Sequence, residues 1–186
     1  MIKSTLNVTH RFRFVVTNAS GINFTLTAID FLDLLCVATG GNVAYRICDS
    51  VKIKELEIWC ANSSGSSSNT VQIEYSAAGG YSGSSGLTFN DTALGTADIA
   101  HVKARPPPGS SASFWLGNSA NGSLVTVTGP QGSVIDIVLE VSIMDTESAV
   151  VVTGLVSGAT TGKMYCRPLP NSSGTAVAFP VGYDYI

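Results

Sequence analysis

The chain predicts an all-β protein, an antiparallel two-sheet sandwich with one short helix. Three observations carry that prediction. Apolar and polar residues alternate in many short segments along the 186 residues, loops rich in Ser, Gly and Asn separate them, and one stretch alone has helical periodicity. The clearest alternation is SVIDIVLEVSIMD, Ser133 to Asp145, where Ile135, Ile137, Leu139, Val141 and Ile143 share one parity. Asp136, Glu140 and Ser142 take the other. Successive side chains of an extended backbone point to opposite faces, so this strand has one dry face and one wet face.

The elements follow in order. THRFRFVVTN places His10, Phe12, Phe14 and Val16 on one face and Arg11, Arg13 and Val15 on the other. Asn18 to Gly21 turns the chain, and Asn23 to Thr27 extends again. Thr27 to Thr39 is the helix candidate, with Ile29, Leu32 and Cys36 near one stripe, Asp30 and Asp33 in the early turns, and Gly40-Gly41 as the stop. In SVKIKELEIWCA, Val51 and Ile53 share one parity whereas Leu56, Ile58 and Cys60 share the other. A β-bulge at Lys54-Glu55 would restore one continuous apolar face. TVQIEYSA turns Val71, Ile73 and Tyr75 inward, and the glycine-rich stretch Ala77 to Gly86 reads as a surface loop. The remaining predicted strands are Ala97 to Ala104, Ala112 to Leu116, Leu124 to Thr128, Ser133 to Asp145, Ala149 to Leu155, Lys163 to Arg167 and Val177 to Val181.

No Pro-rich or charged linker divides the chain, so residues 1–186 read as a single domain with a short, flexible N-terminal arm over residues 1–7. Net charge is −3 with only 12% charged residues, which gives no bulk electrostatic case for a polyanionic partner. The apolar runs are far short of a membrane span, and MIKSTLNVTH lacks the apolar core of a secretory signal, so no membrane partner is expected. Cys36, Cys48, Cys60 and Cys166 form no CxxC pair, and no histidine stands near them at metal-ligand spacing. Cys60 lies on the apolar parity of Leu56 and Ile58, as suits a reduced thiol packed as a small hydrophobe; a disulfide stays open.

Among sandwiches, an eight-stranded antiparallel jelly roll is favoured over an immunoglobulin-like domain. Trp59 adjoins Cys60 directly, so the Cys, Trp, Cys spacing of an immunoglobulin core is missing. Jelly rolls also tolerate long, irregular connections between their two four-stranded sheets.

The order HRFRFVV, SVKIKELEIWCA, HVKARPPPGSSASFW and GPQGSVIDIVLEVSIMD resembles the single jelly-roll capsid proteins of small icosahedral viruses. That group includes the shell domains of tombus-like and satellite RNA viruses and similar capsids of small circular single-stranded DNA viruses. The resemblance covers roughly Val8 to Asp145 and rests on strand patterns rather than a chemical signature. It implies a structural protein, assembled in the host cell, that closes sixty copies or a multiple of sixty into a virion shell around a genome. Many such proteins carry an Arg- and Lys-rich arm that neutralises packaged nucleic acid by displacing counterions. Here only Lys3 precedes His10, so the candidate nucleic-acid-facing residues are Lys3, Arg11 and Arg13, with Lys52, Lys54, Lys103 and Arg105 as further cations.

Pro106-Pro107-Pro108 cannot sit in a central strand, having no amide hydrogens to donate. These prolines are a candidate subunit contact, or a loop that simply avoids edge pairing. No cofactor is expected. The resemblance raises interfacial calcium, for which Asp30, Asp33, Asp91, Asp98 and Asp184 supply oxygens, although no Ca²⁺-loop signature accompanies them. No enzyme is expected either. His10 and His101 are the only imidazoles, and no nucleophile elbow, P-loop or dinucleotide fingerprint is present. The rival reading is a secreted or surface β-sandwich that binds carbohydrate or mediates adhesion, since Asn-x-Ser/Thr sequons occur at Asn7, Asn18, Asn23, Asn62, Asn90, Asn121 and Asn171.

Overall fold

A computed structural model describes residues 6–40, 43–61, 68–76, 86–95, 98–117, 122–143, 150–152, 159–170 and 174–185. The elements in chain order are β1 (Asn7–Val16), β2 (Ile22–Thr27), α1 (Ala28–Leu32), β3 (Leu35–Gly40), β4 (Val43–Arg46), β5 (Cys48–Ala61), β6 (Ser68–Tyr75), β7 (Leu87–Leu94) and β8 (Ile99–Ala104). A 3₁₀ turn (Ser111–Ser113) precedes β9 (Ser123–Gly129), β10 (Val134–Ile143), β11 (Val151–Val152), β12 (Met164–Cys166), β13 (Leu169–Pro170) and β14 (Ala176–Pro180).

Eight of these strands pair as the two arms of one long hairpin. β1 lies beside β10, β2 beside β9, β5 beside β8 and β6 beside β7, all antiparallel. The hairpin is rolled so that β10 also meets β5 and β9 also meets β6. One sheet therefore runs β1-β10-β5-β8, extended on the β1 edge by β14 and β13, and the other runs β2-β9-β6-β7. This rolled hairpin is the jelly roll expected from the alternating segments.

Alternation explains the core. Phe12, Phe14 and Val16 of β1, Ile135, Ile137 and Leu139 of β10, and Phe24, Leu26, Val71, Ile73, Val125 and Val127 of the opposite sheet form one buried cluster. The expected bulge is present. Val138 pairs with Glu55 and Leu139 with Ile53, so Lys54 is the extra residue, and both Ile53 and Leu56 face inward.

The structure corrects the extent of several elements. The helix is α1 alone, closed at its start by Asp30 Oδ2, which accepts from the Thr27 amide at 2.9 Å and the Thr27 hydroxyl at 2.8 Å. Residues after Asp33 leave the helix because Cys36 and Ala38 bury as alternating strand positions. β3 belongs to a small third sheet, β11-β4-β3-β12, with its own core of Cys36, Ala38, Ala44, Val152, Ala159 and Tyr165. The predicted strand Ala112 to Leu116 is instead the 3₁₀ turn, followed by one bridge from Leu116 to Val51. β4, β7 and β13 had no counterpart among the predicted strands. Of the expected arm, residues 1–5 lie outside the described residues, Leu6 accepts the Ile143 amide through its carbonyl at 3.0 Å, and Asn7 already belongs to β1. The glycine-rich loop lies outside them too, up to Gly86.

All four cysteines are buried and unbridged. Burial pushes the Cys36 thiol up to about 11, and those of Cys48 and Cys166 up to about 12.

Candidate functional site

The outer face of the β1-β10-β5-β8 sheet carries a grid of charges fixed by strand register. One row across the sheet reads Arg13, Asp136, Glu57, Lys103, and the next reads Arg11, Val138, Glu55. Arg105 lies just past the end of β8.

Within this grid the acids lie low and the cations stand high. Asp136 is 1% exposed, and both its oxygens accept from Arg13, Nε at 2.7 Å and Nη2 at 2.8 Å, while Arg11 Nη1 approaches at 3.5 Å. The Arg13 guanidinium is held above its ordinary pKa, chiefly by that hydrogen bonding. Glu55 is buried at sheet level and accepts from Lys103 at 2.8 Å and Arg105 at 3.3 Å. The Lys103 hydrogen bond, seconded by Arg105, holds the Glu55 carboxyl below its usual range against the opposing effect of burial. Lys54, thrown outward by the bulge, reaches Glu140 at 3.2 Å.

Arg11, Arg13, Lys54, Lys103 and Arg105 all keep roughly half or more of the side chain in water. Each retains donors beyond those its carboxylate consumes, because a guanidinium has five N–H groups and an ammonium three. Thr9, Arg11, Lys54, Glu55, Arg105 and Val138 line a shallow groove of about 360 Å³ on this face. Beside it, the His101 ring stacks on Trp59 with centroids 5.3 Å apart and planes 3° from parallel. The Arg13 guanidinium lies 5.7 Å from the Trp59 centroid, and His101 Nε2 bonds Glu57 at 2.8 Å.

The other sheet is chemically different. Its outward positions include Asn23, Thr25, Thr126, Thr70, Gln72, Thr92 and Glu74, with cross-strand hydroxyl contacts at Thr25–Thr126 (2.9 Å) and Thr70–Thr92 (2.8 Å). β2, β6, β7 and β9 contain no Lys or Arg. Of the two sheets, the strands of only one therefore offer cationic donors to an anionic polymer.

Arg11 and Arg13 thus lie side by side on the outward face, both directed at Asp136. Lys3 lies outside the described residues. Pro106, Pro107 and Pro108 lead the chain away from β8, and the Pro107 carbonyl accepts both the amide and the hydroxyl of Ser110, at 3.0 and 2.7 Å.

The candidate calcium oxygens are scattered and engaged within the chain. Asp30 caps α1. Asp33 is buried against Arg46 Nε at 2.7 Å and Arg167 Nη1 at 3.3 Å, and burial pushes its carboxyl up more than those guanidiniums pull it down. Asp91 accepts the His101 amide, Asp98 the Leu94 amide, and Asp184 pairs with Lys163. Among the described residues no three His, Cys, Asp or Glu side chains are grouped to hold a metal ion. No helix among them is long and apolar enough to cross a membrane.

Sequence reasoning missed the sunken acids and the Trp59–His101 stack. Parity put Asp136 outward, but the burial of Asp136, Glu55 and Glu57 depends on which long cations stand above them on neighbouring strands.

Eight antiparallel strands paired as one rolled hairpin in two packed sheets make a jelly roll. No protein-family model matches the chain, and no curated protein matches it in sequence. Among solved structures the chain is similar to one from the virus-like particle of the extra small virus (XSV) of the giant freshwater prawn Macrobrachium rosenbergii, determined by cryo-EM. The TM-score is 0.52 at 15% sequence identity, over 78% of this chain and 84% of that one. The likeness is one of fold.

Proposed function

We propose that the chain is a structural, non-catalytic capsid subunit that self-assembles into an icosahedral shell around a viral genome. The observation that carries this reading is the rolled-hairpin strand order, shared in fold with a chain of a virus-like particle over most of both lengths. A shell of sixty copies or a multiple of sixty needs a stiff scaffold whose loops and edges meet several neighbours, and two cross-packed sheets supply that stiffness. Its setting would be the virion, after assembly in the host cell.

The charged face supports a genome-facing role for Arg11 and Arg13, with Lys54, Lys103 and Arg105. Phosphate contacts made by such a surface are independent of sequence and weaken with salt. Pro106, Pro107 and Pro108 are proposed to stiffen a segment that meets neighbouring subunits.

Purified protein examined by size-exclusion chromatography and negative-stain electron microscopy tests the reading directly. Closed particles in the megadalton range are expected. A monomer or small oligomer under every salt and pH condition would sink it.

A further inference from the structure

Besides single exposed apolar residues such as Leu94 and Ile99, two apolar features stand out among the described residues. One is the aromatic pair Phe114 and Trp115, 58% and 42% exposed. The other is a groove of about 220 Å³ walled by Val8, Leu35, Ile47, Ile143, Met164 and Tyr183, among others. Apolar residues exposed singly need no explanation, but adjacent ones that form a patch, or that line a groove, mark a contact surface.

The aromatic pair is held rigidly. Pro106 to Pro108 fix the backbone before it, the Ser113 hydroxyl donates to the Ser110 carbonyl at 2.7 Å, and Ala112 is buried beneath. Immediately after it, Leu116 exchanges both backbone hydrogen bonds with Val51, at 2.7 and 3.0 Å. The rings project from a segment tied at both ends, so little conformational entropy is lost when they are covered. No charged residue occurs from Pro106 to Gly117.

The groove lies where the start of β1, the end of β10 and β12 converge. None of its lining residues is Lys, Arg, Asp or Glu, and its polar groups His10 Nε2 and Tyr183 OH are bonded to each other. Its rim includes exposed Val8 and Met164. An apolar cavity of about 150 Å³ accommodates a benzene ring. The groove is large enough for one aromatic side chain, and neither surface would strand a charge on closure.

We propose that one ring of the Phe114–Trp115 knob of one copy seats in this groove of a second copy while the other covers its rim, a head-to-tail contact that builds the shell; the proposal rests on the capsid reading. Knob and groove share one end of the sheet but flank it differently. Leu116 anchors to Val51 on the β8 side of β5, whereas Ile143, which pairs with Cys48, lines the groove on the β10 side. Because the two patches differ, each copy offers a knob to one neighbour and a groove to another. Repetition of such a contact closes a ring when the rotation permits.

The test uses two variants of the full chain. One removes the knob, Phe114→Ser with Trp115→Ser; the other charges the groove rim, Val8→Asp with Met164→Asp. All four positions are exposed, so melting temperatures should stay near wild type. Each variant alone should form no particles, with subunit association weakened roughly thirty-fold by sedimentation velocity, as expected for an aromatic hot spot. An equimolar mixture should recover dimers that neither makes alone, since it contains one intact knob and one intact groove.

Either variant assembling like wild type would overturn the contact and leave the capsid reading standing. So would a mixture that recovers nothing. If the groove is instead covered by the first residues of its own chain, the rim variant melts early while the knob variant assembles normally, which also overturns it. Wild-type protein that stays monomeric overturns the capsid reading and this contact with it.

Discussion

Ile137 sits at the centre of the rolled sheet, fully buried, between Phe12 of β1 and Leu56 of β5 in register. Replacing it with Ala removes three buried carbons, a transfer loss of ~2.4 kcal/mol at about 0.8 kcal/mol per methylene. The hole left between two cross-packed sheets cannot collapse fully, which raises the expected cost to about 3–4 kcal/mol. That is a large share of the roughly 5–15 kcal/mol that holds a domain folded. It corresponds to a fall in Tm of roughly 6–16 °C for a chain of this size. Val138, one residue on, is the control. It faces outward and only half-buried beneath the cations of the charged groove, so Val138→Ala should cost about 1 kcal/mol or less. Urea unfolding followed by tryptophan fluorescence gives both values, with the m-value unchanged. Equal costs at the two positions would refute the assigned faces of β10. Ile137→Asp adds an unpaired buried carboxylate to the same loss and should abolish soluble folding; wild-type yield would contradict it.

Three further outcomes follow from the charges and thiols. Arg105→Ala with Lys54→Ala should lower encapsidated nucleic acid and reduce the slope of log affinity against log salt by about 1.4 for single strands, while shells still form; an unchanged slope would move phosphate away from this face. Because Lys103 and Arg105 hold the Glu55 carboxyl below its ordinary value of 4.5, its stabilising contribution is complete above that pH and is lost as pH falls through the lower folded value. Glu55→Gln should therefore flatten the acid limb of a stability profile, and an unaltered limb would show that other carboxylates set it. Native protein should leave Cys36, Cys48 and Cys166 unreacted toward a thiol reagent at pH 8, with reaction only on unfolding; rapid native labelling would contradict their burial and raised pKa values.

The strands legible in the sequence are those with one uniformly apolar face. β1, β6 and β10 announce themselves by a period of two, and the parity slip in β5 located its bulge to the residue pair. β7 does not, because LTFNDTAL is an edge strand whose buried position is filled by Ala93 and whose Phe89 is only partly covered. The third sheet was hidden for a related reason. Its core is built mostly from Cys and Ala side chains on strands of two to six residues, too small and too short to raise a hydrophobic signal. The overlong helix came from reading Cys36 as a helical stripe position. At that point the third sheet supplies strand partners from β4 and β12, which no local pattern could announce.

For the charged face, parity gave direction but not depth. Arg11 and Arg13 were legible as outward neighbours, yet their engagement with Asp136 depends on β1 pairing with β10, a contact between residues more than a hundred positions apart. Depth is what reverses the inference from composition. A chain with a net charge of −3 gives no reason to expect a positive surface. Here, however, Asp136, Glu55 and Glu57 lie at the level of the sheet while Arg11, Arg13, Lys103 and Arg105 reach past them into water. A carboxylate beneath a cation neutralises it at long range but leaves its outermost N–H groups pointing at solvent. Close contact with phosphate thus favours this face, although a distant polyanion is scarcely attracted. Under the proposed capsid role, such a surface would take up nucleic acid by contact during assembly rather than by steering it from afar.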